Sequence, residues 1–130
     1  MTKEQHVYYW MNTAEEDWIT VGVLFSMNRY LHSLFWAHFM LEKLAKALWV
    51  KHNEDNLPPK SHNIVWILQD SKVELDSDKT NFLAKFGCYQ ASTRYPDYTD
   101  KVYLACNQDF TRQELETVKE IRSCLLKMLP

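Results

Sequence analysis

Two stripes of apolar residues at helical spacing occupy the first half of the chain. Members of the first stripe are separated by four and three residues in alternation, which places them on one helix face and predicts helix 1 from about residue 4 to residue 27. The same spacing resumes after a short joint at Asn28-Arg29 and predicts helix 2 from residue 30 to about residue 52. The first stripe consists of Val7, Met11, Ala14, Trp18, Val21 and Phe25 and breaks at Asn28; the second consists of Tyr30, Leu34, Ala37, Leu41, Leu44 and Leu48.

Helix 2 carries a second apolar row, which consists of Leu31, Phe35 and Phe39. This row widens the apolar face, so we expect helix 2 to be a central element that contacts more than one neighbour. Because the joint between helices 1 and 2 is short, we expect the two helices to form a long antiparallel hairpin.

The middle of the chain predicts two shorter helices. Turn-forming residues and the pair Pro58-Pro59 end the helical pattern between His52 and Lys60. Ser61 is expected to cap helix 3, and Asp76 or Ser77 is expected to cap helix 4. The apolar residues that mark these helices are Ile64, Val65, Ile67 and Leu68 in helix 3, and Phe82, Leu83, Phe86 and Tyr89 in helix 4, which is expected to end before Pro96.

A fifth helix closes the predicted bundle. The segment Thr111-Arg112-Gln113-Glu114 matches a capping box, in which the first and last residues bond to backbone N–H groups at a helix start. The chain has no internal repeat and no linker long enough to separate domains. Residues 1–130 are therefore predicted to form one all-α domain, an up-and-down bundle of four to five helices.

Composition excludes several classes of protein. The chain has 130 residues, of which 46% are hydrophobic and only two are glycine. Because glycine supplies the backbone freedom that phosphate-binding loops and tight β-turns need, two glycines exclude a Gly-rich phosphate loop and a turn-dense β-sandwich. The formal net charge of −2 excludes a strongly basic nucleic-acid binder, so any contact with nucleic acid must be local.

The chain shows no targeting or membrane signal. Its first residues, from Met1 to His6, lack the apolar stretch of a signal peptide. No later segment runs for about 18 residues without charged or strongly polar side chains. We therefore expect a cytoplasmic protein that makes no contact with a membrane.

The cysteines, histidines and carboxylates do not have the spacing of a metal site. The three cysteines are 18 residues apart each time and form no C-x-x-C pair, which favours reduced thiols. No glutamate is followed by histidine three residues later, as di-metal bundles require. We predict no metal and no cofactor, a hydrogen-bonded pair of His38 and Glu42 at the edge of the core, and a solvated helix face at Glu15-Glu16-Asp17.

Three motifs follow one another in a fixed order along the chain. The first is helix 1 with Ala14, Glu15, Asp17 and Trp18. The second is the helix 2 string of residues 30–48, which includes Glu42-Lys43 and Lys46-Ala47. The third is Pro58-Pro59-Lys60-Ser61-His62-Asn63-Ile64, followed some thirty residues later by Ala91-Ser92-Thr93-Arg94-Tyr95-Pro96-Asp97. Together these motifs resemble the HEPN family, over roughly residues 8 to 128.

The resemblance implies a helical bundle that forms a homodimer, with the arginine-containing element near the two-fold axis. Many HEPN proteins are metal-independent ribonucleases, in which an arginine and a histidine, with four to six residues between them, form a composite site across the dimer. The arginine holds the scissile phosphate, and the histidine supplies acid–base catalysis for attack by the ribose 2′-hydroxyl. Other members bind nucleotides, or pair with a small nucleotidyltransferase in toxin–antitoxin modules.

This chain departs from the catalytic pattern after Arg94. The positions expected for the histidine hold Thr99, Asp100 and Lys101, and no histidine follows. The resemblance therefore implies a module that binds RNA or a nucleotide without full ribonuclease activity. The residues expected to bind are Arg94, Tyr95, Asp97, Tyr98 and Lys101, which combine positive charge with aromatic faces for base stacking.

Alternative interpretations stay open for the same residues. Arg94 and Asp97 also suit a structural role in which the arginine bonds to the last carbonyls of helix 4. His62, the one histidine that matches a family position, is either a structural residue at the start of helix 3 or, like Tyr98, a substitute acid–base group in an active ribonuclease.

A third class of function is contact with another protein. By resemblance, a partner nucleotidyltransferase modifies a tyrosine near the arginine motif, and Tyr103 is the candidate. Homodimer formation has support beyond the resemblance, because five Trp, seven Tyr and six Phe are more aromatic surface than a bundle of this size readily buries.

Overall fold

A computed structural model describes residues 1–87 and 104–130, which form five α-helices and contain no β-strand. The first two helices are long and pack against each other along their length. The all-α fold and the hairpin predicted from the sequence are confirmed. The helices are α1 (Lys3–Ser26), α2 (Tyr30–His52), α3 (Ile64–Asp70), α4 (Ser77–Phe86) and α5 (Gln108–Leu126).

A tight reversal joins α1 to α2. Asn28 has a left-handed backbone conformation with φ of 62°, which asparagine tolerates better than most residues. The N–H of Arg29 donates to the carbonyl of Leu24 over 2.9 Å, which satisfies a carbonyl at the end of α1. Inside the hairpin, the Ser33 hydroxyl donates to the Val21 carbonyl over 2.9 Å. These bonds make the two helices antiparallel neighbours.

Helix α2 is the centre of the bundle, as its wide apolar face predicted. It packs against α1, α3 and α5. Its main apolar stripe is buried except at Tyr30, which is partly buried, and residues of the second row either join the core or lie partly buried beside it. The stripe buried along α2 consists of Leu34, Ala37, Leu41, Leu44 and Leu48.

The C-terminal end of α2 holds both the first helix and the third. The Lys3 ammonium donates to the carbonyls of Val50 and Asn53, at 2.8 and 2.6 Å. Trp49 Nε1 donates to a carboxylate oxygen of Asp70 over 2.7 Å, at the end of α3. Helix α3 is thereby held against α2, and the loop that precedes α3 lies over the middle of α2.

Two predicted helix caps are wrong. Helix α3 is capped by Asn63, whose side chain accepts from the N–H of Trp66 over 3.1 Å, while Ser61 accepts from the N–H of Asn63. Helix α5 begins at Gln108 and is capped by Asn107, whose side-chain oxygen accepts from the N–H of Phe110. Thr111 therefore lies inside the helix with a buried side chain, and the predicted capping box at residues 111–114 does not form.

The remaining boundaries agree with expectation where the structure describes them. Asp76 caps α4 and accepts from the N–H of Lys79 over 2.8 Å, as predicted. The predicted inward position of Tyr89 and the helix end before Pro96 lie outside the described residues. Within the described ranges, no helix is both long enough and apolar enough to cross a membrane.

Candidate functional site

The predicted binding segment lies outside the described residues. This applies to its arginine, to its lysine and to the tyrosine proposed as a modification target, so the structure does not test their roles. The described residues end at Gly87, at the end of α4, and resume at Leu104, before α5. The predicted residues concerned are Arg94, Tyr95, Asp97, Tyr98, Lys101 and Tyr103.

His62 is the predicted site residue that the structure describes, and it bonds to the centre of α2. Its Nδ1 atom lies 2.9 Å from Oε1 of Glu42. The His62 side chain is 43% exposed, whereas that of Glu42 is only 2% exposed. The pair therefore links a buried carboxylate to an imidazole that reaches the surface.

Glu42 has a second partner within α2. Its Oε2 atom accepts from Nζ of Lys46 over 3.1 Å, one helical turn further on. Lys46 is itself buried, and its Nζ atom lies 5.5 Å from the ring centroid of Trp10 on α1. Burying a carboxylate is costly unless its oxygens are bonded, and here each oxygen has a partner.

The predicted pair of His38 and Glu42 is wrong. Both carboxylate oxygens of Glu42 point to other residues, and the ring of His38 stacks on Phe86 of α4 with centroids 6.0 Å apart. Spacing of four residues brings two side chains to one face of a helix, but the tertiary partner His62 determines which bond forms. His62 thus combines a structural contact at the start of α3 with an exposed ring.

The bond to Glu42 determines what the His62 ring can do. An ionised carboxylate only accepts hydrogen bonds, so Nδ1 of His62 carries the hydrogen in this contact. In the neutral imidazole, Nε2 is then the acceptor. A carboxylate that orients a histidine in this way is the arrangement by which enzymes prepare a general base.

A groove of about 550 Å³ begins at His62 and runs between α3 and α4. Its volume lies within the range of small-molecule sites, about 300 to 1,000 Å³. Gly87, the last described residue before the predicted binding segment, lines this groove together with His62. The other lining residues are His38, Asn63, Ile64, Val65, Trp66, Gln69, Leu83 and Ala84.

A second buried carboxylate corrects the prediction for Glu15-Glu16-Asp17. Asp17 is buried, and its Oδ2 atom lies 2.8 Å from Nζ of Lys43 on α2. Burial raises the pKa of Asp17 above its ordinary value, although the bond to Lys43 acts in the opposite direction. Glu15 and Glu16 are exposed, so only two of the three acidic residues form the predicted solvated face.

Potential metal ligands do not cluster in the described part of the chain. No group of three histidine, cysteine, aspartate or glutamate side chains there has the geometry to hold a metal ion.

Comparison with known proteins identifies a family. The family model described as HEPN domain matches residues 7–129, which is nearly the whole chain. No curated protein and no solved structure gives a significant match.

Removal of the Glu42 charge tests its role in the structure. We expect Glu42→Gln to lower the free energy of unfolding by about 3 kcal/mol, because Lys46 then stays buried without a counter-charge. The measurement is urea unfolding followed by circular dichroism. The matched control is Glu15→Gln, which removes the half-exposed partner of Arg122 and should cost at most about 1 kcal/mol. Equal losses in the two variants would contradict the role assigned to Glu42.

Proposed function

This chain belongs to the HEPN domain family, and on that premise we propose that it is a dimeric module that binds RNA or a nucleotide through the segment around Arg94. The observation that carries the proposal is the family match over residues 7–129, which includes the Arg94-Tyr95-Pro96 element. The groove beside His62 supports it, since Gly87 lines that groove and Arg94 follows seven residues later in the sequence.

Each residue of the segment has a role in this proposal. Arg94 donates paired N–H groups to a phosphate, and Lys101 adds a second positive charge. Tyr95 and Tyr98 present ring faces on which bases stack, and Asp97 orients the arginine. Because Thr99, Asp100 and Lys101 stand where the family pattern has its catalytic histidine, binding is proposed without full ribonuclease activity.

Arg94→Ala tests the proposed binding segment. We expect its affinity for a short single-stranded RNA or for a nucleotide to fall at least about ten-fold, because a charge-assisted bond to phosphate is lost. The measurement is a calorimetric or filter-binding titration. Lys127→Ala is the control, since Lys127 is an exposed cation at the C-cap of α5 and is not among the residues that line the groove beside His62. Unchanged affinity in Arg94→Ala would refute the assignment.

A metal-independent endoribonuclease is the second candidate, and the contact between Glu42 and His62 favours it. The carboxylate holds the ring through Nδ1, which leaves Nε2 to take a proton from a ribose 2′-hydroxyl. The 2′-oxygen would bond to phosphorus as the bond from phosphorus to the 5′-oxygen breaks, and the protonated ring would return its proton to that leaving oxygen. Arg94 would neutralise the phosphate during the attack. His62 thus stands in for the histidine that is absent after Arg94.

RNA cleavage in the presence of EDTA tests this candidate. If it is correct, the purified protein cleaves a mixed RNA pool, and His62→Ala lowers the rate at least about a hundred-fold, as expected for loss of a general base. His32→Ala serves as the control, because His32 is an exposed histidine on the same helix as Glu42. Absence of cleavage by the wild-type protein, or equal cleavage by His62→Ala, would exclude the ribonuclease.

The surface of α1 supports the proposed homodimer. Ile19, Val23 and Met27, which follow one another at intervals of four residues, are 53, 56 and 67% exposed. Gly22 lies beside them, and a Cβ atom added there would meet nothing within 4 Å. An apolar hollow of about 310 Å³ continues this surface toward α5 and is lined by Trp18, Val21, Gly22, Phe25, Arg112, Leu115, Glu116 and Lys119.

The charges of α1 and of the joint that follows it suit antiparallel packing against a second copy. A two-fold axis near Gly22 and Val23 would bring the acidic pair Glu15-Glu16 of one copy toward Arg29 of the other. The same arrangement would set Val23 against the open space at Gly22. Apolar contact at the centre and opposite charges at the ends are the pattern of a self-complementary interface.

Val23→Glu tests this interface. We expect wild-type protein to be a dimer at tens of micromolar and Val23→Glu to be a monomer, because two buried carboxylates would face each other across the axis. Light scattering coupled to size exclusion gives the mass. Leu57→Glu is the control, since Leu57 is 71% exposed in the loop after α2, and that loop lies at the Lys3 end of α1, opposite the end that holds Val23. A monomeric wild type would rule out the dimer, and a dimeric Val23→Glu would rule out this face.

The partner role stays a prediction. Pairing with a small nucleotidyltransferase in a toxin–antitoxin module, with Tyr103 as the modified residue, follows from the resemblance and has no support in the described contacts. Cytoplasmic location is likewise a prediction from the sequence. A nucleotidyltransferase encoded beside this protein would favour the partner role over the other two.

A further inference from the structure

Helix α3 presents the side chain of Trp66 to the groove beside His62. Its buried face consists of Ile64, Ile67 and Leu68, whereas Trp66 on the opposite side is 44% exposed. The Trp66 indole makes no hydrogen bond and no ring contact with any described residue. Trp49, in contrast, uses its N–H to bond Asp70. A large exposed indole that lines a groove is the usual anchor for a planar ligand.

Polar groups follow the same side of α3. Gln69 lies three residues after Trp66, so the two side chains are neighbours on the helix surface. The Gln69 side chain is exposed and carries both a donor and an acceptor. His62, four residues before Trp66, closes the end of the groove at which the Glu42 carboxylate holds its ring.

We propose that the groove between α3 and α4 is a nucleobase site, in which the base stacks on Trp66 and its polar edge bonds to the Gln69 amide. His62 Nε2 then faces the ribose and phosphate of the same nucleotide. This inference rests on the proposed function, which makes RNA or a nucleotide the ligand of this chain. The size of the groove, about 550 Å³, admits one nucleotide.

The buried charges beneath the groove support a preformed site. A buried ion pair is weak evidence of stabilisation, since apolar residues of the same size often serve the fold as well or better. Here the pair of Glu42 and Lys46 lies under the loop that carries His62, and it holds that ring in one orientation. The residue after His62, Asn63, is also held in place, because its side chain accepts from the N–H of Trp66 and so caps α3. A ligand that binds there loses little affinity to the ordering of side chains.

Binding of two matched probes to the full chain tests the site. The probes are a labelled single-stranded oligoadenylate of twelve nucleotides and the same ribose-phosphate chain without bases. We expect Trp66→Ala to weaken binding of the oligoadenylate about ten-fold, as for loss of one stacked base, and to leave binding of the abasic chain unchanged. Trp66→Phe should recover most of the affinity. Tyr8→Ala is the matched control, since Tyr8 is 46% exposed on α1.

The same titrations with Arg94→Ala separate this inference from the proposed function. We expect that variant to lose affinity for both probes, because it acts on phosphate. If Trp66→Ala binds the oligoadenylate with unchanged affinity and Arg94→Ala binds it more weakly, the base site alone is overturned. If Trp66→Ala binds the oligoadenylate more weakly and Arg94→Ala binds both probes with unchanged affinity, the base site is supported and the Arg94 assignment is overturned. Equal losses on both probes in Trp66→Ala, or no binding by the wild type, would overturn the base site.

Titration with adenosine monophosphate identifies the source of the base. If binding of the mononucleotide depends on Trp66 to the same degree as binding of the oligoadenylate, the ligand is a free nucleotide. If only the oligoadenylate shows the dependence, the ligand is single-stranded RNA. Both results support the nucleobase site, and circular dichroism of each variant shows that its helices are retained.

Discussion

The enclosure of α2 is the constraint on which the rest of the structure depends. Because three other helices pack around it, polar residues on the buried faces of α2 cannot turn to water and must be satisfied by groups of the protein. Ser33 bonds to a carbonyl of α1, and Lys46 pairs with Glu42 on its own helix. The second oxygen of Glu42 requires a partner from outside the helix, and His62 supplies it. The position of the loop before α3 follows from this requirement.

The helices could be predicted from the sequence because their information is local. Apolar spacing in α1 and α2 repeats over more than twenty residues each, and burial on the core face enforces that period. Caps carry less information, since several residues near one end can accept the same N–H bond. Asn107 and Thr111 both suit a cap of α5, and Asn107 takes the role while Thr111 is buried. The boundary thus depends on packing, which spacing alone does not reveal.

The contact at the centre of the candidate site could not be predicted in the same way. Glu42 and His62 are twenty residues apart on different elements, and helical spacing relates only residues of one helix. In the sequence, Glu42 belongs to the motif of helix 2 and His62 to the motif before helix 3, and neither motif indicates a bond between them. Their bond depends on the path of the loop that Pro58 and Pro59 help to set, so it emerges only once α3 is docked on α2.

A buried carboxylate and an exposed aromatic side chain lie on opposite sides of one short segment, residues 62–69. Residues 62–69 face α2 with a histidine bond to a buried carboxylate, and face the groove with an indole and an amide. A loop held only by apolar packing could shift by an ångström at small cost. A loop that must satisfy a buried carboxylate cannot, because such a shift would leave one oxygen of that carboxylate, Oε1, without its bond to His62. The cost of burying Glu42 therefore secures the position of His62, and with it the geometry of the groove in which Trp66 lies.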